Sequence, residues 1–197
     1  MNPIVPKMSP TAPSMIRMDH TLVMLQFHKL EPDTPESVRA AVVRSICAVL
    51  EIHAQIEQEI FYPALRESGV ELPALQEAGP THDEARKLIE RVRALNGQRT
   101  AQDNALYELM NAVIHHVADE ETQILPAAER FLGPARLSDP GARMTERRLE
   151  LARPRAAELA ADMARGAPAK TALMAVSALV AGGLLMSRIS RRRGMHL

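Results

Sequence analysis

Apolar residues recur at three- and four-residue steps in four successive stretches of the chain, and each stretch predicts an amphipathic helix. The first covers residues 15–30, with Ile16, His20, Val23, Phe27 and Leu30 on one face. The second covers 35–68, on a stripe that includes Val38, Val42, Ile46, Val49, His53, Glu57, Ile60 and Leu65. Thr34-Pro35-Glu36-Ser37 predicts its start, with Thr34 as the cap and Pro35 at the first helical position, while Pro63 predicts a kink or a break within it. The third covers 80–96, opened by Gly79-Pro80 and closed by Asn96-Gly97, with His82, Ala85, Ile89 and Val92 on its face. The fourth covers 100–132, through Leu106, Leu109, Val113, His116, Glu120, Ile124 and Ala127, and ends at Gly133-Pro134. No alternating stretch persists, so no sheet is expected. Short turns between four such helices predict an all-α fold, an antiparallel up-down four-helix bundle over residues 15–134.

The rest of the chain reads differently. Residues 1–14 carry spaced prolines and predict a flexible N-terminal arm. Residues 135–169 are rich in Arg, Glu and Ala, and with Pro140 and Pro154 interrupting any helix they predict a charged linker. Residues 171–187, TALMAVSALVAGGLLMS, hold no charge and are followed by Arg188, Arg191, Arg192 and Arg193. This run predicts a membrane-spanning or membrane-associated helix over 170–188, with a basic tail, 189–197, suited to anionic headgroups. Ala178 and Gly182 are spaced to let two such helices approach, which predicts a homodimer contact there. The N-terminus has no apolar run of the secretory kind, so the bundle is expected in the cytoplasm, anchored to the cytoplasmic membrane.

Composition narrows the functional classes. Lys+Arg and Asp+Glu are both 24, and a net charge of zero gives no general reason to expect nucleic acid as a partner. Aromatics make up only 3% and Trp is absent, in keeping with a helix-forming composition. The single cysteine, Cys47, can form no intramolecular disulfide and excludes a Cys-rich zinc site; beside an apolar stripe it reads as a plain buried thiol.

Six residues interrupt the apolar stripes where Leu or Val would be expected: His20, His53, Glu57, His82, His116 and Glu120. One comes from the first helix, two from the second, one from the third and two from the fourth. Two pairs share one pattern, since HAQIEQEIFYP at 53–63 and HVADEETQILP at 116–126 both read His-x-x-x-Glu-x-x-x-x-x-Pro. A spacing of four puts His and Glu on one helix face, one turn apart, so both can reach the same metal or two adjacent ones. Buried carboxylates without compensation are costly, and a shared metal ion removes that cost while taking neutral imidazoles as further ligands. Without cysteine, a nitrogen and oxygen donor set bridged by carboxylates suits iron or manganese better than structural zinc. Ferritin-like bundles use Glu-x-x-His, with order and spacing both different, so that pattern does not fit. His115 lies about 100° off the stripe, and His28 is off the seam. Glu59 and Glu121 read as solvent-facing or as supports behind the ligands, and Tyr62 and Tyr107 as ordinary packing.

His20 in MDH, HAQIEQEIFYP, THDEARKL and HVADEETQILP together resemble the repeated pattern of the hemerythrin-like (HHE cation-binding) domain over residues 15–132. The resemblance implies a four-helix bundle around two iron ions bridged by carboxylates and an oxo group. It implies His20, His53, His82 and His116 as terminal ligands, with Glu57 and Glu120 as bridges. Hemerythrins that carry oxygen reversibly have a second His one turn after the counterpart of His82, where this chain has Arg86. Arg86 is therefore expected behind the ligands or in the ligand pocket, where a guanidinium can stabilise an anion such as peroxide. The expected function is binding or sensing of O2, NO or peroxide, or iron handling. Two alternatives stay open: a di-iron enzyme that scavenges peroxide or repairs iron centres, and a membrane-tethered interaction module with a structural metal.

Overall fold

A computed structural model describes residues 10–165, all of whose regular elements are helical. The expected membrane helix, basic tail, C-terminal dimer contact and most of the N-terminal arm lie outside the described residues. Among the described residues no helix is long and apolar enough to cross a membrane.

The four-helix bundle follows the four stripes. Its first helix is α1, Ala12–Phe27, which starts a turn before the apolar pattern because Thr11 caps it, accepting from the Ser14 N–H. The second is α2, Glu36–Ile56, which continues through a π turn, Glu57–Phe61, into α3, Tyr62–Glu67. Thr34 does not cap α2 as expected; its hydroxyl bonds to the Lys29 carbonyl and the Glu31 N–H, closing the preceding turn. The third is α4, Pro73–Ala94, which begins two turns ahead of the expected start. Leu75 and Ala78 hold those extra turns in the core, while Pro80 sits on the exposed face where the carbonyl it leaves free meets water. The fourth is α5, Arg99–Asp119, followed by a second π turn, Glu120–Ile124, and the first part of α6, Leu125–Ala152.

The two π turns have one cause. Pro63 and Pro126 each lie six residues beyond a Glu, and neither can donate to the carbonyl four residues back. The helix widens just ahead of each proline instead of breaking. The Tyr62 N–H reaches the Glu57 carbonyl and the Leu125 N–H reaches the Glu120 carbonyl, both five residues back.

The expected linker is instead helical through Arg165. Gly133, at φ 67° and ψ 169°, breaks α6, and Pro134 then opens a new helical run through residue 152. Arg153–Arg155 form a single tight turn into α7, Ala156–Arg165, which packs on α2. Leu137 and Met144 enter the core beside Met15, Ile16 and Phe61. Gly141 is required where this run crosses residues 10–12, since a Cβ there would meet the Pro10 carbonyl oxygen at 2.1 Å. Proline content and charge suggested a linker because ion pairs such as Arg147–Glu59 and Arg44–Asp162, which tie this run to the bundle, leave no periodic trace in the sequence.

The core falls into two apolar clusters. One joins Ile16, Ile56, Phe61, Leu75, Ile124 and Leu125, and the other joins Val23, Val42, Ile46, Ile89, Leu109 and Val113. The interrupting polar residues lie at the levels between them.

Candidate metal centre

Each bundle helix carries its polar residues into the gap between the two apolar clusters. His20, His53, Glu57, His82, His116 and Glu120 are all buried, the two glutamates completely. Their donor atoms fall into two overlapping sets, His53–Glu57–His82–His116 and His20–His53–Glu57–Glu120, each within 4.8 Å. His82 Nε2 and His116 Nε2 are 2.9 Å apart, and His20 Nε2 is 3.0 Å from Glu120 Oε2. His53 Nε2 and His82 Nε2 approach Glu57 Oε2 at 3.3 and 3.4 Å, and His116 Nε2 approaches Glu120 Oε2 at 3.4 Å.

These spacings suit ligation. Two donors at right angles on an ion with bonds of about 2.1 Å lie about 3 Å apart. Glu57 Oε1 is buried with no hydrogen-bond partner among the described residues, which the inventory of a carboxylate's acceptor sites makes costly unless a cation takes it. The donors are nitrogen and oxygen only, and Cys47 lies in the other apolar cluster, its thiol pushed up to about 11 by burial. The site therefore suits a metal that takes oxygen and nitrogen ligands.

The imidazoles are not alike: burial favours neutral rings at His82 and His116, while at His20 burial acts the same way but the bonds to Glu120 and Glu121 prevail and raise it. Burial pushes His82 down to about 2 and His116 to about 4. Burial and repulsion from Glu120 and Asp19 hold the Glu57 carboxyl well above the usual range. Burial acts the same way on Glu120, but the His20 hydrogen bond and the neighbouring His116 and His53 rings prevail and bring it down to about 2. Tyr62, raised by burial and by both carboxylates, keeps its proton and donates to Glu120 Oε1 at 2.8 Å and Glu57 Oε2 at 3.3 Å. Its ring stacks on His82 at 5.8 Å.

Beyond the six, the structure adds residues that the sequence had left aside. Tyr62 was expected to be ordinary packing, yet its hydroxyl spans both glutamates; the π turn determines where it points. Glu121 stands behind His20, with its Oε1 2.8 Å from His20 Nδ1. Asp19 stands behind His53 at 3.4 Å from Nδ1 and is held by Arg148 from the run expected to be a linker. An acidic residue directly before His20, on the inward face of α1, was the available signal for Asp19. Arg86 bonds to Gln58 and to Asp83 at the surface, and lines a groove with Gln55 and Glu59. Glu59 pairs with Arg147, and His115 and Tyr107 are exposed.

These shifts set the acid response of the metal-free protein. Below pH 4.5 the unfolded chain protonates its carboxylates and histidines, while the folded chain holds Glu120 ionised to about 2 and His82 neutral to about 2. The unfolded state then binds more protons, so stability falls as pH falls through this window. Glu57, raised, contributes fully below 4.5 and does not oppose the loss. For Glu120 alone the loss reaches about 3 kcal/mol once pH is below about 2, with about half of it falling between pH 4.5 and 3, at about 1.36 kcal/mol per unit. Thermal unfolding of chelated protein at pH 4.5 and pH 3 checks this, and Glu120→Gln is expected to reduce the difference and leave the part due to His82.

Comparison with known proteins agrees with the geometry. Residues 11–128 match the family described as "Hemerythrin HHE cation binding domain". A protein of Nostoc sp. (strain PCC 7120 / SAG 25.82 / UTEX 2576) named "DNA nickase" is 27% identical over 118 residues, covering 60% of this chain. This chain spans 33% of that relative's length. No solved structure matches. With over half its length matched and the six donors gathered in one bundle, the chain belongs to the hemerythrin HHE cation-binding domain family.

Proposed function

We propose that this protein holds two iron ions in the bundle and uses them to bind a small ligand such as O2, NO or peroxide. The observation that carries the reading is the convergence of four imidazoles and two carboxylates, all buried, from four helices. Bound iron would supply a redox-active coordination position for the ligand. The chain's own residues shape access to it. Val23, Val49, Leu50, Val113 and Val117 line a cavity of about 10 Å³ against His20, His53 and His116, room for one water-sized molecule. That size favours a diatomic ligand over an organic substrate, and the apolar wall keeps bulk water off the centre. Tyr62 holds a proton at its hydroxyl between Glu57 and Glu120, and so fixes both carboxylates.

Iron analysis of protein from iron-replete cells is expected to give two ions per chain. Exposure of the reduced protein to NO or O2 should change its near-ultraviolet and visible absorption. Much less than two irons, or an unchanged spectrum, defeats this reading. The nicking activity named for the Nostoc relative is not carried over, because this chain spans only 33% of that protein.

The uncharged run at 171–187 and the arginines after it support attachment of the bundle to an anionic membrane surface. The full chain is then expected to sediment with membranes and resist high salt. Recovery in the supernatant would count against attachment.

A further inference from the structure

The two pairs of imidazoles are supported differently. The rings of His20 and His53 lie 5.2 Å apart, and those of His82 and His116 lie 4.4 Å apart. Behind His20, Glu121 Oε1 is 2.8 Å from Nδ1, and Arg17 Nε donates to Glu121 Oε2 at 3.1 Å. Behind His53, Asp19 Oδ2 is 3.4 Å from Nδ1, and Arg148 grips both Asp19 oxygens, one through its Nη1 at 2.7 Å. The same arrangement, a guanidinium on a carboxylate on an imidazole, occurs twice on one side of the centre. On the other side, His82 Nδ1 is buried without a hydrogen-bond partner among the described residues, and His116 makes its polar contacts through Nε2. One turn after His82, Arg86 turns to Gln58 and Asp83.

A carboxylate that accepts the Nδ1 proton fixes the tautomer with the Nε2 lone pair facing the ion, and makes the ring a stronger donor. His20 and His53 have that support and His82 lacks it. We infer that the centre holds one metal tightly at the His20–His53 side and a second, exchangeable metal at the His82–His116 side. Asp19 and Glu121, anchored by Arg148 and Arg17, are the positioning residues that create the difference. This rests on the two-metal reading above. It also gives the helical run at 134–152 a function: through Arg148 it completes one of the two supports.

Anaerobic calorimetric titration of the metal-free full chain with ferrous ion tests the inference. Two binding steps of unequal affinity are expected. Asp19→Asn should weaken the tighter step about 10–100-fold and leave the weaker one in place. Glu121→Gln, at a part-exposed position, should do the same without disturbing the core. Arg148→Ala should weaken the tighter step, and Arg148→Lys should restore much of it. His82→Ala should remove the weaker step and leave one tightly bound ion per chain. The thermal midpoints of the metal-free variants separate these effects from a general loss of fold. Two equal steps in the parent chain, or an equal loss in both steps for Asp19→Asn and Glu121→Gln, would overturn the asymmetry while leaving the two-metal centre standing. Binding of fewer than two ions by the parent chain would instead remove the two-metal reading itself.

Discussion

Stripping metal from the purified protein with a chelator is expected to lower its thermal midpoint by about 10 °C or more, and ferrous ion should restore it. A ligand that binds only the folded state adds about 4 kcal/mol at a thousandfold excess over its dissociation constant. For a chain of this size that is worth about 2–4 °C per kcal/mol. The structure explains why the loss should be large. Glu57 and Glu120 are completely buried, and Glu57 Oε1 has no hydrogen-bond partner among the described residues. Without a cation, the gap between the two apolar clusters holds carboxylates that repel one another. Calorimetry of the loaded, chelated and reloaded protein provides the measurement. Identical midpoints in all three would mean that the buried cluster is not a metal centre.

Glu57→Gln and Glu120→Gln are expected to act alike on metal binding and oppositely on the metal-free fold. Either change replaces an anionic ligand with a neutral amide, so neither variant should retain two ions. The environments of the two carboxyls are opposed, however. Glu57 is held above the usual range by burial and by the negative charge of Glu120, so a neutral amide there removes repulsion. Its metal-free form should be about 1–3 kcal/mol more stable than the parent, the scale found when a poorly compensated buried charge is replaced. Glu120 accepts from Tyr62 at 2.8 Å and meets His20 Nε2 at 3.0 Å. Its amide variant should be about 1–3 kcal/mol less stable, since charge-assisted hydrogen bonds are lost in the core. Denaturant titration of the three metal-free proteins decides the matter. A shift of the same sign in both variants would show that the centre does not distinguish its two carboxylates.

The sequence made the bundle legible because each buried stripe repeats at helical spacing, and it made the cluster of six buried polar residues legible because each interrupts such a stripe. Long-range pairing was not legible. Arg147 and Arg148 look like linker charges until the fold brings Glu59 and Asp19 beneath them, and no spacing rule connects residues more than eighty positions apart. Tyr62 was missed for a different reason. Counted along an uninterrupted α-helix it falls off the donor face, and the widened turn ahead of Pro63 brings its hydroxyl onto both glutamates. The early start of α4 was hidden by Gly79-Pro80, a pair that marks a boundary in most contexts but lies here on a helix surface.

The π turns also determine how these helices tolerate changes in length. Each turn holds one residue more than an α-helical turn, directly after a glutamate of the centre. The residues before and after it are therefore phased as if one position had been inserted between them. If either helix closed into regular α geometry with every residue between Glu and Pro kept, the downstream part would fall one position out of phase. Everything downstream would then rotate by about 100°. Phe61, Tyr62 and Leu65 on one helix, and Leu125 and Ala128 on the other, would leave the core together. The wide turn is thus what keeps the two ends of each helix in phase, and a single-residue deletion within it should disturb the downstream core less than a deletion elsewhere in the same helix.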